Sequence, residues 1–282
     1  MDIILLNLPY DSGQKGVRMG RGPDHFLKNG AIARLSGHNH DVFVEQIEGM
    51  DDFQSEVTGS FRLYRKLSER VHAASIQEAF PLVLSGNCGS ALGALAGLQP
   101  DGIGLIWFDA HGDFNTPETT SSGFLDGMAL ATATGRCWKR LAAGLPGFSP
   151  LPDDHVIHIG GRDFDPEEWD LLNQSSVAWI TWEKIQAADL RAALEPALLS
   201  LKEQVNRVYV HIDLDVLDPQ STPVNQFLPS GGLSVAQVEE AIGLVRRHFQ
   251  LCGAGLASYD PSYDPQGRGL EAGLRFMERL TR

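Results

Sequence analysis

Three side chains that can bind a metal ion are spaced two residues apart directly after an apolar run. The run at residues 104–108 ends in Asp109, and His111 and Asp113 follow it. If the run is a β-strand, residues two apart share one face, so the three side chains can converge just past the strand's end. Two carboxylates and an imidazole at one point predict a metal site there.

A second segment of the same design lies further along the chain. Asp213 and Asp215 end the β-rich run at residues 208–212. Taken alone, either segment could instead cap a helix that follows. However, burying two ionised carboxylates side by side costs free energy unless a cation pairs them. The five side chains offer oxygen and nitrogen ligands that suit Mn²⁺, and four carboxylates exceed what one divalent ion needs, which favours two metal ions.

The composition bounds the class of protein. The chain has 282 residues, 43% of them hydrophobic, and a formal net charge of -13. Because nucleic acids and anionic membranes are bound by clustered Lys and Arg, this charge favours a small solute as the partner. The sequence shows neither a signal peptide nor the roughly 20 apolar residues of a membrane span, so a cytoplasmic protein is expected. Without a Pro/Ser-rich linker, one domain over residues 1–282 is predicted.

The order of the predicted elements indicates an α/β fold. Strands alternate with helices, which is typical of parallel β-α-β units and of a sheet covered on both faces. Helices are predicted at 24–35, 61–80, 90–98, 125–134, 165–172, 188–205, 235–249 and 270–280, and a short strand followed by an acidic loop between 42 and 59. In such folds, sites gather beyond the carboxyl ends of the strands. The residues expected there are Cys88, Asp109, Asp163, Asp213 and Ser258.

With these motifs in place, the chain resembles the ureohydrolase family, which includes arginase, agmatinase and formiminoglutamase. The resemblance runs from the Gly-rich residues 20–23 to Asp-Pro-Ser-Tyr-Asp at 260–264. It implies a three-layer α/β/α sandwich with a mainly parallel central sheet. It also implies two Mn²⁺ ions per subunit, a small guanidino-type substrate and a homo-oligomer.

The family's pattern also implies roles for individual residues. Asp109 and Asp213 match bridging metal ligands, Asp113 matches a ligand of one metal ion, and His111 and Asp215 match ligands of the other. Asp113 would in addition orient the hydroxide that bridges the metal ions and attacks the substrate carbon. Asn115, Thr120 and Ser122 match positions that in arginase bind the substrate's α-carboxylate, and Asp165 and Glu168 match those around its α-amino group. The alternative for these five residues is capping of helices and loops.

The first metal motif departs from the family's pattern. Where the family usually has Gly-Gly-Asp-His-Ser, this chain has Ser-Gly-Asn-Cys-Gly at residues 85–89, so Cys88 takes the place of a histidine ligand. A thiolate can bind a divalent metal ion but is softer than Mn²⁺ prefers, and one site is expected to be weakened or lost. The alternative is that Cys88 is a spectator thiol.

Three further departures concern the substrate. Asp126 stands where arginase has a histidine credited with proton shuttling, which makes Asp126 the candidate for proton delivery. Phe124 replaces an asparagine that faces the substrate, and Ser258 replaces the glutamate that holds the guanidinium. Losing that carboxylate should weaken the preference for a cationic guanidinium, because charge-assisted hydrogen bonds are the stronger kind.

Cysteine in the first motif also resembles the subgroup of Nω-hydroxy-L-arginine amidinohydrolases, whose hydroxyguanidine substrate is less basic than a guanidine. The sequence therefore predicts a manganese hydrolase that cleaves a C–N bond of a guanidino or N-hydroxyguanidino amino acid. Two alternatives remain at this point. One is a formimino or amide hydrolase of the same family, and the other is a non-catalytic member that acts as a binding subunit.

Overall fold

One parallel sheet forms the centre of the protein. The computed structural model describes residues 1–37, 40–49, 54–98 and 102–282. The sheet has eight strands in the order β4-β1-β5-β10-β9-β6-β7-β8, and every pairing in it is parallel. The small β2 and β3 form a separate antiparallel hairpin. The strands are β1 Asp2–Leu8, β2 Tyr10–Asp11, β3 Gln14–Lys15, β4 Asp41–Gln46, β5 Phe80–Ser85, β6 Ile103–Phe108, β7 Val156–Ile159, β8 Ala178–Ile180, β9 Arg207–Asp213 and β10 Gln250–Ala257.

Helices follow most of the strands. They are α1 Gly22–Lys28, α2 Ala31–Ser36, α3 Glu56–Ile76, α4 Ser90–Leu98, α5 Ala129–Ala133, α6 Lys139–Ala142, α7 Pro166–Gln174, α8 Trp182–Ala188, α9 Leu190–Lys202, α10 Val235–His248 and α11 Arg268–Thr281. Across the described ranges, no helix combines the length and the apolar character that crossing a bilayer requires.

Two hydrophobic cores lie on opposite faces of the sheet. Along β6, Ile106 and Phe108 belong to one core, whereas Leu105 and Trp107 belong to the other. Successive side chains of a strand point to opposite faces, so this alternation places the sheet between two helical layers. The predicted three-layer α/β/α fold with a mainly parallel sheet is confirmed.

Several predicted helices have different bounds because single residues interrupt them. The helix predicted at 24–35 is two helices, α1 and α2, separated at Gly30. The φ of Gly30 is 104°, a conformation that glycine adopts readily because it has no Cβ. The one predicted at 188–205 is the shorter α9, Leu190–Lys202, and Asp189, with φ 70°, separates it from α8. The helix α3 begins and ends before the predicted bounds of 61–80, and Phe80 already belongs to β5.

Two more differences concern the loops. Of the predicted helix 125–134, only α5 is α-helical, after a short 3₁₀ turn at Asp126–Met128. The short strand expected after residue 42 is β4, but residues 50–53 of the predicted acidic loop lie outside the described residues.

The topology brings the candidate residues to one edge of the sheet. The strands β5, β10, β9 and β6 are consecutive neighbours, and all run in the same direction. Cys88, Ser258, Asp213 and Asp109 follow or end these four strands in that order. Parallel neighbours have their carboxyl ends together, so the four side chains meet at the centre of that edge.

Candidate active site

The loop after β6 presents Asp109 and Asp113 by two different means. Asp109 accepts hydrogen bonds from the indole Nε1 of Trp107 at 2.9 Å and from the backbone N–H of His111 at 2.7 Å. Asp113 is held in the left-handed backbone region, with φ 49°. This strained conformation persists because its carbonyl accepts from the N–H groups of Leu130 and Ala131 in α5, at 2.9 and 3.1 Å. A turn just past the strand's end, and not the shared strand face of the prediction, therefore brings Asp113 close to Asp109.

The segment after β9 is joined to this loop through Asp215. Its Oδ1 accepts from the backbone N–H of Ala110 at 3.1 Å, and its own N–H donates to Asp213 Oδ1 at 2.8 Å. The Nδ1 of His111 lies 3.2 Å from Asp215 Oδ2 and 3.5 Å from Asp109 Oδ1. Asp109, His111 and Asp215 offer ligand atoms that all lie within 4.8 Å of one another. We call these three residues the histidine half of the site.

A second group forms around Cys88, which is almost completely buried. Ligand atoms of Cys88, Asp109 and Asp113 also lie within 4.8 Å of one another, and we call these three the cysteine half. The thiol donates to Asp213 Oδ2 at 2.8 Å, and the hydroxyl of Ser258 donates to the same oxygen at 2.5 Å. Asp109 belongs to both halves, which is the arrangement that two metal ions with a shared ligand require.

Charges of both signs meet in the histidine half. Burial alone would raise the pKa of Asp215, but attraction to His111 holds it below its ordinary value. Burial alone would lower the pKa of His111, and the two carboxylates raise it well above the ordinary value. Burial, the larger cause, and repulsion from Asp215 together raise the pKa of Asp109 to about 6.

Acidic groups accumulate in and beside the cysteine half. Burial and neighbouring carboxylates raise the pKa of Cys88, Asp113 and Asp213 well above their ordinary values. The Oδ2 of Asp113 is buried without a hydrogen-bond partner among the described residues. A divalent cation would supply both the missing charge and the missing partner. The donor set, mostly oxygen with one imidazole and one thiol, fits such ions.

Asp126 is held at the start of α4 by three donors. Its Oδ2 accepts from the Asn87 amide at 2.9 Å and from the N–H of Cys88 at 3.1 Å, and its Oδ1 accepts from the N–H of Gly89 at 2.7 Å. Burial raises the pKa of Asp126 to about 7, against the effect of these donors. Asp126 thus fixes the turn that carries Cys88 and also lines the cavity in front of the site.

That cavity has a volume of about 500 Å³ and is lined by all the residues predicted to bind substrate, namely Asn115, Thr120, Ser122, Asp165, Glu168 and Ser258. Some of them also make the capping contacts of the alternative interpretation. Glu168 accepts from the N–H of Phe114 at 2.8 Å and from that of Asp165 at 3.1 Å, which closes a capping box at α7. The Asn115 amide donates to Asp165 at 3.0 Å. Capping and substrate binding are compatible here, because the capped residues face the cavity.

Comparison with known proteins agrees with this geometry. The profile of the arginase family matches residues 1–281. The chain belongs to the arginase family. The arginase of Bacillus caldovelox is 28% identical over 291 residues, covering 99% of this chain and 97% of that one. The crystal structure of Bacillus cereus arginase superposes with a TM-score of 0.91 at 26% identity, covering 100% of this chain and 98% of that one.

A more distant structure, Bacillus subtilis formimidoylglutamase, shares the fold, with a TM-score of 0.77 at 16% identity over 99% of this chain and 86% of that one. Family membership confirms the predicted enzyme class, a metal-dependent hydrolase acting on linear amidines.

Other cavity residues of this arginase-family chain were not predicted from the sequence. Arg18 and Phe227 line the cavity together with Phe124, and the two phenylalanine rings lie 5.8 Å apart. A basic residue in the Gly-rich loop was a visible signal, but its position depends on a contact with Asp11 in the β2–β3 hairpin, which the sequence pattern did not reveal.

Proposed function

We propose that this protein is a binuclear manganese amidinohydrolase that cleaves a C–N bond of a guanidino or N-hydroxyguanidino amino acid. The observation that carries the proposal is the sharing of Asp109 by two groups of three ligand-type side chains. Asp109, His111 and Asp215 would hold one ion, and Cys88, Asp109 and Asp113 the other. Asp213 would join them, since it lies within hydrogen-bond distance of the Cys88 thiol.

Divalent metal ions bound there would lower the pKa of water and act as Lewis acids toward the substrate. The remaining tasks fall to side chains of the chain. Asp113 belongs to the cysteine half and lines the cavity, so the carboxylate oxygen that does not bind the ion could accept a hydrogen bond from the attacking water and orient it. Asp126 lines the cavity and is the candidate for giving a proton to the leaving amine. Its three N–H donors stabilise the carboxylate form and oppose that role.

The proposed preference for an Nω-hydroxy-L-arginine-like substrate comes from Ser258. Its hydroxyl donates to Asp213, and its backbone is fixed with φ 65° by the Asn225 amide, which donates to its carbonyl at 2.8 Å. A hydroxyl in this position offers no negative charge to a guanidinium. A hydroxyguanidine is less basic than the guanidine of arginine. The replacement of glutamate by Ser258 should therefore cost it less binding free energy than it costs arginine.

A single panel of substrates tests this preference. Arginine, Nω-hydroxyarginine, agmatine, guanidinobutyrate and formiminoglutamate would be assayed with the manganese-loaded protein by release of the amine or ammonia product. Turnover of hydroxyarginine with a higher kcat/KM than arginine is expected. Equal values would refute the argument from Ser258, and turnover of formiminoglutamate alone would favour the formimino hydrolase alternative.

Metal analysis tests the hydrolase itself against a non-catalytic family member. Two Mn²⁺ per chain are expected after loading, with weaker retention at the cysteine half, because thiolate is a softer ligand than Mn²⁺ prefers. Less than one ion per chain together with no turnover of any compound in the panel would reject the proposed function.

We propose a homo-oligomer of single-domain chains, spanning residues 1–282, that acts in the cytoplasm and binds no nucleic acid. Light scattering of the purified protein measures the oligomeric state directly, and a monomer at micromolar concentration would contradict the proposal.

A further inference from the structure

The cavity in front of the site is strongly acidic and has one permanent cation. Seven acidic side chains line it, and Arg18 is the only lysine or arginine among the described residues that do so. Three of them, Asp113, Asp213 and Asp215, are candidate metal ligands, and the other four, which would bind no metal ion, repel the carboxylate that an amino-acid substrate carries. The approach of such a group therefore depends on where the positive charge of the cavity lies.

Arg18 is held in one position before any ligand binds. Its Nε and Nη2 donate to the two carboxylate oxygens of Asp11 at 3.0 and 2.7 Å, and Nη2 also donates to Ser12 Oγ at 3.0 Å. Asp11 is fully buried, and the backbone of Arg18 has φ 43°, a conformation that a non-glycine residue keeps only when its surroundings impose it. A fixed guanidinium loses little conformational entropy when it forms a further hydrogen bond.

One edge of the guanidinium remains free for a ligand. The two hydrogen bonds to Asp11 and the one to Ser12 use Nε and Nη2, whereas Nη1 makes no hydrogen bond to the described residues. The side chain is 39% exposed. Arg18 is therefore anchored on its Asp11 side and open on the other, as an anion-binding arginine requires.

Neighbouring hydroxyls extend this anion site. The Cζ of Arg18 lies 6.0 Å from the ring centroid of Phe124, and the backbone N–H of Phe124 donates to Ser122 Oγ at 3.2 Å. Ser122 Oγ lies 3.5 Å from Thr120 Oγ1. The amide nitrogen of Asn115, by contrast, already donates to Asp165. Arg18 and the two hydroxyls thus lie on the same wall of the cavity, around Phe124.

We propose that Arg18 binds the carboxylate of the substrate and selects amino-acid substrates over their decarboxylated analogues. The inference rests on the proposed function, because it assigns a second anchor point to the substrate of the same site. It makes Arg18 the charged partner of the carboxylate and leaves Thr120 and Ser122 as neutral hydrogen-bond donors to it.

The test compares substrates that differ only in the carboxylate. Arginine with agmatine, and Nω-hydroxyarginine with its decarboxylated analogue, would be assayed with the wild type and with Arg18→Gln. We expect KM for the carboxylate-bearing substrates to rise about 10- to 100-fold, the equivalent of losing a charge-assisted hydrogen bond, with the decarboxylated analogues changed less than about twofold. Arg18→Lys should give KM values between those of the wild type and Arg18→Gln, since lysine keeps the positive charge but cannot form two parallel hydrogen bonds to a carboxylate.

Arg21→Gln is the matched control. Arg21 lies on the same segment and also pairs with a buried aspartate, Asp260, at 3.0 Å, but it does not line the cavity. Because Arg18→Gln leaves the buried Asp11 unpaired, the double variant Asp11→Asn/Arg18→Gln would be measured beside it to exclude misfolding as the cause. Equal effects on both members of a substrate pair, or the same effect from Arg21→Gln, would overturn the assignment.

Failure of the proposed function would be visible separately. If the wild type turns over no compound of the panel, calorimetry of the manganese-loaded protein with L-ornithine and with putrescine replaces the kinetic test. A loss of affinity of about tenfold or more for ornithine alone in Arg18→Gln would still support the carboxylate site. The same affinity for ornithine in wild type and variant would reject it.

Discussion

The histidine half and the cysteine half of the site share Asp109 but balance their charges in opposite ways. In the histidine half, His111 approaches Asp215 to 3.2 Å, so a cation from the chain faces the carboxylates. Beside the cysteine half, the side chains that hydrogen-bond to Asp213 are a thiol and a hydroxyl, both of which donate to its Oδ2. Neither carries a positive charge, so this side holds acidic groups without a cation from the chain.

This difference bears on how each half would take up metal. His111 would have to lose its proton to bind a metal ion in the histidine half, and the ion's charge would replace that of the imidazolium. An ion entering the cysteine half must displace the proton of Cys88, which burial and Asp213 retain, and gains only a soft ligand in return. We therefore infer that the histidine half binds Mn²⁺ more tightly, and the following predictions test that comparison.

The largest effect is expected at the residue that both halves share. Asp109→Asn removes a ligand charge from both groups, so both ions should be lost or displaced and kcat should fall by about 10³-fold or more. Metal content by elemental analysis and kcat would be measured together. Asp218→Asn is the control, because Asp218 also follows β9 but its carboxylate accepts from the backbone N–H of Gln220. Loss of only one ion in Asp109→Asn would contradict a shared ligand.

A smaller effect on both halves is expected from Trp107. Its indole N–H fixes Asp109 at 2.9 Å, and its ring stacks on the buried His211 with centroids 4.1 Å apart. Trp107→Phe keeps most of the packing but removes the donor, and groups that orient metal ligands typically contribute about 10- to 100-fold in metal affinity. Titration with Mn²⁺ would measure the change. In Trp179→Phe, which removes a contact to Ser175, affinity should stay unchanged.

The halves can be separated at Cys88. Replacing the thiol by imidazole supplies the harder ligand that Mn²⁺ prefers, so Cys88→His should tighten the weaker of two manganese sites, by about tenfold, and leave the tighter one unchanged. Calorimetric titration with Mn²⁺ resolves the two affinities. Cys137→Ala, at a buried cysteine that contacts Thr132, is the matched control. If Cys88→His tightened neither site, Cys88 would be a spectator thiol.

The sequence was sufficient for the parts of this site that depend on regular strands. Asp109 and Asp213 could be assigned because a parallel sheet brings the ends of its strands to one edge. The convergence of these ligand-type side chains, though not their binding of metal, could therefore be predicted from motifs far apart in the chain.

What the sequence could not show depends on contacts that no local pattern encodes. Asp113 reaches the site through a left-handed turn that α5 holds in place, and Arg18 reaches the cavity because Asp11 in the hairpin binds it. The interruptions at Gly30 and Asp189 are local, since positive φ at a single residue separates two helices in each case and Asp189 caps α9 by accepting from the N–H of Ala192.

Asp153, which does not line the cavity, provides the converse of the cysteine half, a carboxylate whose cation belongs to the chain. Arg136 donates to its two oxygens at 2.7 and 2.6 Å, and these hydrogen bonds lower the pKa of Asp153 despite its partial burial. Asp153→Asn should therefore cost about 1 kcal/mol of unfolding free energy at neutral pH. Asp154→Asn, at the exposed neighbouring position, is the control and should stay within about 0.5 kcal/mol of wild type.

The pH dependence of that difference follows from the direction of the shift. A carboxyl group whose folded pKa is depressed stabilises the protein above its unfolded pKa of about 3.9, and that stabilisation is lost as the pH falls through the folded pKa. Urea unfolding of wild type and Asp153→Asn should thus differ most near neutral pH, and the two should converge below about pH 4. If the difference in unfolding free energy between wild type and Asp153→Asn persisted unchanged into acid, Asp153 would stabilise the protein through packing. Its charge and its pairing with Arg136 would then contribute nothing measurable.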